Sequence, residues 1–354
     1  MRKRIGMLLA FVFLFSCLSG IAPAEEKKLS VVVTIFPVYD WVREVAGPDS
    51  GNAEITLLLD SGVDLHSYQP SAQDILRIST ADLFVYVGGE SDEWVEDVLD
   101  SAMNPHLKAV NLLDAMGEDL KTEEIVEGME HGHGHDEDDH DEDDHDEDSH
   151  DEDNHDKDGH DRGDEDENRK HSHEEEADEH VWLSLRCAQK LTGVIAAAMA
   201  ELDAAHAETY QANAAAYTEK LAALDAQYSQ TVENAGIKTI LFGDRFPFRY
   251  LADDYGLTYY AAFSGCSAET EASFRTIMFL AQKVDELKLP AVLTIEHPKT
   301  RIAETVAQAA ASGNLKILVM DSMQGTTAQD IENGVTYLSV MENNLDTLRE
   351  ALTK

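Results

Sequence analysis

Positive charge is scarce in this chain of 354 residues, cysteine is scarcer, and past the first two dozen residues no apolar run is long. Each shortage excludes something. Only 27 Lys and Arg stand against 70 Asp and Glu, giving a formal charge of −43, and no basic cluster offers a track for a nucleic-acid backbone. Nucleic acid is excluded as a partner, and a cationic one is natural. The three cysteines, Cys17, Cys187 and Cys266, form no paired C-x-x-C, and no H-E-x-x-H occurs. An oxidising compartment permits a Cys187–Cys266 bond, and two unpaired, largely buried thiols fit the spacing equally. Beyond the N-terminus nothing approaches the roughly 18 uninterrupted apolar residues of a membrane span, so no transmembrane helix is expected.

Two segments stand apart from the rest. Met1-Arg2-Lys3-Arg4 followed by the apolar run from Ile5 to Leu18 has the basic and hydrophobic regions of a secretory signal. Cleavage after Ala22-Pro23-Ala24 competes with lipid attachment at Cys17, and the bulky Phe15 favours cleavage. Either way the mature chain is exported. Between His131 and His173 ten histidines lie in a matrix of Asp and Glu, six of them, from His135 to His160, at every fifth position. Imidazole and carboxylate are ligands for divalent ions. A period of five gathers the histidines on no face of a helix or strand, and the apolar content is too low to offset ordering, so a disordered, weak, multi-site binder is expected. Residues 131–180 hold 26 acidic against 4 basic residues, so much of the net charge belongs to this tract.

The remaining length, about 280 residues, suits two ordinary domains. Strand-like runs at Leu29–Phe36, Glu54–Leu59, Leu83–Val87 and Ala109–Leu112 alternate with helical patterns at Ser71–Ser79 and Glu93–Ala102. A second alternation has strands at Lys238–Phe242, Thr258–Ala261, Ala291–Ile295 and Lys316–Met320, with helices around Phe246–Asp254, Ala272–Leu287, Arg301–Ala311 and Asp330–Leu352. Such alternation implies parallel βαβ units. Between them, Val181 to about Glu233 reads as nearly continuous helix, with Tyr217, Leu221, Leu224 and Tyr228 on one stripe. The fold class expected is α/β: two lobes with parallel sheets joined by a long linking helix. Its divisions are a signal peptide at 1–24, an N-terminal lobe at 25–130, the tract at 131–179, a helical segment at 180–235 and a C-terminal lobe at 236–354.

Ligands of such sheets bind beyond the carboxyl ends of the strands. Metal-capable side chains there are His66, Asp244, Glu296, His297 and Asp321, and His180 stands where the tract returns to helix. Cys266 lies in a loop able to approach the cleft, and Arg245 is a candidate partner for Asp244. Trp41, Trp94 and Trp182 read as packing residues, while His106 and His206 read as exposed or locally bonded.

The segments G-V-D-L-H-S-Y-Q-P (62–70), D-E-H-V-W-L (178–183), Y-x-x-N-A-x-x-Y-x-x-K-L-x-x-L-D (210–225) and Asp321 after its strand resemble the solute-binding proteins of zinc and manganese ABC transporters. The zinc-uptake type is the nearest likeness, since it also carries a His- and acid-rich loop just before its second ligand His. The resemblance covers essentially the whole mature chain. It implies a rigid linking helix, one Zn2+ or Mn2+ in the interlobe cleft, and a cognate ABC permease in the membrane as partner of a monomeric binding protein. It implies His66 and His180 as ligands from the first lobe and its boundary, and Asp321 from the second. The chain departs at the third position, where the family has a His after the second lobe's first strand and this sequence has Gly243. Asp244 is the substitute expected, with Glu296, His297, Glu269 or a tract histidine as alternatives. Two other readings compete with transport: a zinc buffer acting through the tract alone, and an exported zinc hydrolase, for which no general base or nucleophile is visible.

Overall fold

Two parallel four-stranded sheets organise the computed structural model, which describes residues 27–47, 51–130, 176–267, 271–296, 301–313 and 315–353. The expected leader with Cys17, tract residues 131–175, Glu269 and His297 lie outside them. The first lobe runs β1 (Leu29–Val33), α1 (Phe36–Ala46), β2 (Ala53–Leu57), α2 (Ala72–Thr80), β3 (Leu83–Tyr86), α3 (Trp94–Asp100), β4 (Lys108–Asn111) and α4 (Leu112–Met116). Two long helices follow, α5 (Leu185–Leu202) and α6 (Ala207–Asn234). The second lobe comprises β5 (Thr239–Phe246), α7 (Arg249–Tyr255), β6 (Thr258–Ser264), α8 (Phe274–Leu287), β7 (Ala291–Ile295), α9 (Arg301–Ala309), β8 (Lys316–Met320), α10 (Ala328–Glu332) and α11 (Tyr337–Ala351). Strand orders are β2-β1-β3-β4 and β6-β5-β7-β8, so each chain path reverses between its first and third strands. A crevice opens at such a reversal.

Local sequence accounts for these elements. Val31, Val32 and Val33 are all buried, because helices cover both faces of a parallel sheet and leave no side for alternation. Pro37 sits in the first turn of α1, where its missing N–H costs nothing. Ser71 and Asp74 close a capping box on α2. All eight expected strands are present. The helical run expected from Val181 to Glu233 is broken: a 3-10 turn at Val181–Leu183 and the turn at Asp203–His206 divide it, with Asp203 accepting from His206 Nδ1 at 2.7 Å and from the Tyr210 hydroxyl at 2.7 Å. Asp330–Leu352 likewise splits at Gly334, whose φ of 92° no helix accommodates. β5 runs to Phe246 through a register shift between Phe242 and Arg245, so Asp244 lies inside a strand rather than after one.

The 28-residue α6 is about 42 Å long and buries Tyr210, Ala214, Tyr217, Leu221, Leu224, Tyr228 and Val232 on one stripe. Asn213 Nδ2 donates to Val45 O of α1 at 3.0 Å, and the Tyr228 hydroxyl donates to Met341 O of α11 at 2.6 Å, so the helix grips both lobes. One continuous apolar core extends from the first sheet past α6 to Phe242, Phe246, Tyr337 and Val340, and a smaller one fills the second lobe around Leu241, Leu280, Val284 and Val292. A large dry junction of this kind resists relative motion of domains. Among the described residues no helix is long and apolar enough to cross a membrane.

A strap also joins the lobes. Leaving the first lobe, the chain pairs Glu130 N–H with Ala262 O of β6 at 3.0 Å, while Glu124 accepts from the Tyr259 hydroxyl at 3.0 Å. The returning chain pairs with the strap's root: Glu123 N–H donates to Glu176 O at 2.8 Å and Asp178 N–H to Lys121 O at 2.9 Å. The described chain resumes at Glu176, and Glu176 to Asp178 pair with the first lobe's strap.

Buried Asp40 accepts from the backbone N–H of Tyr337 at 2.9 Å and from Arg43 Nη2, tying α1 to the start of α11. Burial pushes its carboxyl up to about 6, with Arg43 and the Tyr337 N–H opposing. An unfolded aspartate loses its proton near 3.9, so the fold loses stability as pH rises from about 4 to 6, by at most about 3 kcal/mol from this group. Asp40→Asn, whose amide oxygen still accepts from Tyr337, is expected to abolish that slope. Urea unfolding at pH 4.5 and 6.5 checks it, and an unchanged slope in the variant contradicts it.

Candidate metal centre

Two histidines meet at the crevice by the same local device. In Asp64-Leu65-His66 and Asp178-Glu179-His180 the aspartate two residues earlier accepts the histidine's backbone N–H, at 3.0 and 2.9 Å. Each D-x-H turn throws its ring inward. Asp178 Oδ1 also accepts from His180 Nδ1 at 3.0 Å, which fixes the tautomer and leaves Nε2 with its lone pair. His66 Nδ1 meets the Ser91 hydroxyl at 2.8 Å and Glu179 Oε2 at 3.4 Å. The two Nε2 atoms then face each other at 3.2 Å. Two nitrogens each about 2.0–2.1 Å from one tetrahedral zinc lie about 3.3 Å apart, so the spacing suits a shared ion.

Electrostatics keep His66 ready for a cation. Burial first, and the facing His180 second, hold the His66 imidazolium well below its ordinary range, with Asp64 opposing. The ring is neutral at physiological pH, as a ligand must be. Behind it, burial pushes the Glu179 carboxyl up, while its Oε1 accepts from Ser91 N–H at 3.0 Å. Trp182 Nε1–H, two residues past His180, donates to Ser322 O at 2.9 Å, and the Tyr337 hydroxyl donates to Trp182 O at 2.7 Å. The His180 turn is thereby fastened to the turn that follows Asp321.

The second lobe's expected donors lie in surroundings that differ from what the sequence suggests. A side chain at Gly243 would put its Cβ 2.5 Å from the Ala303 backbone, so no histidine fits there. Asp244 spends its carboxylate on the Thr294 hydroxyl at 2.6 Å and on its own neighbour's N–H. It is not in the group whose ligand atoms converge. Arg245 turns away from Asp244 and pairs with Asp64 Oδ2 across the cleft at 2.5 Å, its Nη1 donating to Ser267 O at 3.3 Å. Asp321 accepts from Met323 N–H at 2.7 Å and exchanges backbone bonds with the Asn344 amide, both at 2.8 Å. Half-buried Glu296 caps the same turn, accepting from the Ser322 hydroxyl at 2.7 Å and Gln324 N–H at 3.0 Å. Burial and neighbouring Asp321 push its carboxyl up.

Instead, the ligand atoms of His66, His180 and Cys266 all lie within 4.8 Å of one another, the group among the described residues able to hold a metal. Cys266 follows β6, and Gly265 lets its loop press on His180, since a Cβ there would stand 3.0 Å from the ring. Cys187 and Cys266 are both free thiols. Burial and the Glu123 carboxylate push the Cys266 thiol up, so it keeps its proton until a cation replaces it. Ser91, Asp178 and Glu179 aim the rings and were not among the expected site residues; the repeated D-x-H marks one of them.

The family of the zinc-uptake complex component A, periplasmic (ZnuA), matches residues 31–351. The zinc-binding lipoprotein AdcA of Streptococcus pneumoniae serotype 4 is 32% identical over 353 residues, 98% of this chain and 61% of that protein. The chain thus spans about three-fifths of the length of its AdcA relatives. The high-affinity zinc uptake system protein ZnuA of Bacillus subtilis is 29% identical over 337 residues, 95% of this chain and 92% of that one. Among solved structures, the Zn(II)-bound ZnuA-like domain of Streptococcus pneumoniae AdcA superposes with a TM-score of 0.65 at 28% identity, covering 93% of this chain and all of that domain. The metal-dependent lipoprotein YcdH from Bacillus subtilis gives 0.66 at 26% identity, covering 92% of this chain.

Proposed function

The chain belongs to the zinc-uptake complex component A family, and on that premise we propose that it captures Zn2+ between its lobes outside the cytoplasm and passes it to an ABC permease in the membrane. The observation that carries this reading is the His66–His180 pair, its Nε2 atoms 3.2 Å apart and each ring held from behind through Nδ1. The pair supplies two fixed nitrogen donors from the first lobe. Asp321, on the turn fastened to Trp182 through Ser322, is the oxygen donor proposed from the second. An ion held this way is bound and released whole, and no bond of a substrate is broken. Imidazole donors favour zinc over manganese, which prefers oxygen. A storage protein acting through the acidic tract needs no such oriented pair, and the pair argues against that reading.

The tract's part in this scheme is to raise the local concentration of metal beside the strap from which it departs, the chain acting as a monomer. Deleting residues 131–173 is expected to remove the weak, numerous sites and to leave one tight zinc site. Calorimetric titration with zinc checks this, and a shortened chain without a tight site defeats the cleft as the place of capture.

A further inference from the structure

We propose that Cys266 is a further metal donor from the second lobe, beside Asp321, making the cleft a mixed imidazole and thiolate site that selects thiophilic divalent ions, zinc and cadmium, over manganese. The inference rests on the capture reading above and adds a ligand to it. Three observations carry it. First, β5 offers no donor: Gly243 is walled in by Ala303, Asp244 is committed to Thr294, and Arg245 is a cation paired with Asp64. Second, Sγ of Cys266 converges with both imidazoles inside 4.8 Å. A nitrogen and a sulfur on one tetrahedral zinc stand about 3.6 Å apart, so at most about an ångström of loop movement completes the site. Third, the loop carrying Cys266 is pinned on two sides. Its own N–H donates to Glu123 Oε1 of the strap at 2.8 Å, and the next carbonyl, Ser267 O, accepts from Arg245 at 3.3 Å.

As the sulfur–metal bond forms, the thiol proton passes to solvent, and nothing is oxidised or reduced. A thiolate favours zinc and other soft or borderline ions, whereas manganese gains little from sulfur. The missing histidine is thus replaced by a donor that narrows the choice of metal rather than widening it.

Cobalt(II) tests this on the full chain, because sulfur-to-cobalt charge transfer absorbs in the near ultraviolet and imidazole or carboxylate ligation does not. The acidic tract contains no cysteine and is silent in this band. One equivalent of cobalt should produce the band in the parent and in Cys187→Ser and abolish it in Cys266→Ser, whose zinc-over-manganese preference should fall by about tenfold or more. Zinc-edge X-ray absorption of the parent with one equivalent bound, which needs no variant, should show one sulfur at about 2.3 Å. Tight cobalt binding without the band, a band that survives Cys266→Ser, or a zinc shell without sulfur would each overturn the thiolate. A parent with no tight site at all would defeat the capture reading itself.

Discussion

His66→Ala is expected to weaken zinc binding by about 10³-fold, close to 4 kcal/mol, while leaving the fold intact. The ring lies between the lobes and outside the apolar core, so its loss costs little packing. What disappears is one of two donors whose spacing already suits a tetrahedral ion. The facing His180 keeps its bond to Asp178 but no longer has a partner across the site. Competition with a chelator, carried out on the chain shortened by residues 131–173, reads the tight site without interference from weak ones. His106→Ala, an exposed histidine outside the centre, should bind as the parent does. A loss below tenfold for His66→Ala would remove the pair from the centre.

Trp182→Ala should cost about 3–5 kcal/mol of folding stability, the usual range for emptying the space of a fully buried large aromatic. It should also weaken metal binding, although tryptophan donates nothing to an ion. The indole packs against the His180 ring, their centroids 5.2 Å apart, and its N–H holds Ser322 O beside Asp321. Trp182→Phe separates the two effects. It keeps most of the apolar volume and loses only the bond to Ser322, for about 1–2 kcal/mol. Denaturant unfolding of the two variants measures the difference, and equal costs for both would mean that the bond, not the packing, dominates.

The elements that pack were readable and the elements that bend were not. β1, β3, β5 and β7 announce themselves because β-branched and apolar residues fill strands buried on both faces, and α6 because Tyr217, Leu221, Leu224 and Tyr228 keep helical spacing. The break at Asp203–His206 depends on side-chain bonds within a single turn, which periodicity does not register. At the site, His66 and His180 were singled out by the family motifs that contain them, and each motif carries a D-x-H turn with a local cause. The second lobe's contribution was not, since it depends on a register shift in β5 and on how closely a loop at Gly265 approaches a ring from the other lobe. Asp244 follows an apolar run in sequence yet lies within a longer strand in space. Nothing local distinguishes those two situations.

The strap along β6 has a mechanical consequence. It fastens the lobes at one margin of the second sheet, and the bridge between Ser61 and Thr327, with Ala328 N–H on Asp60 O at 2.7 Å, fastens them beyond β8 at the other. A case latched at both margins does not swing open on a single hinge. On the proposed function, ion traffic would fall to short pieces of chain between the latches, above all residues 264–267 with their grips on Glu123 and Arg245. In the capture scheme proposed above, release of the ion would require breaking the two bonds that grip this loop, and a permease touching the loop alone would be enough to trigger it.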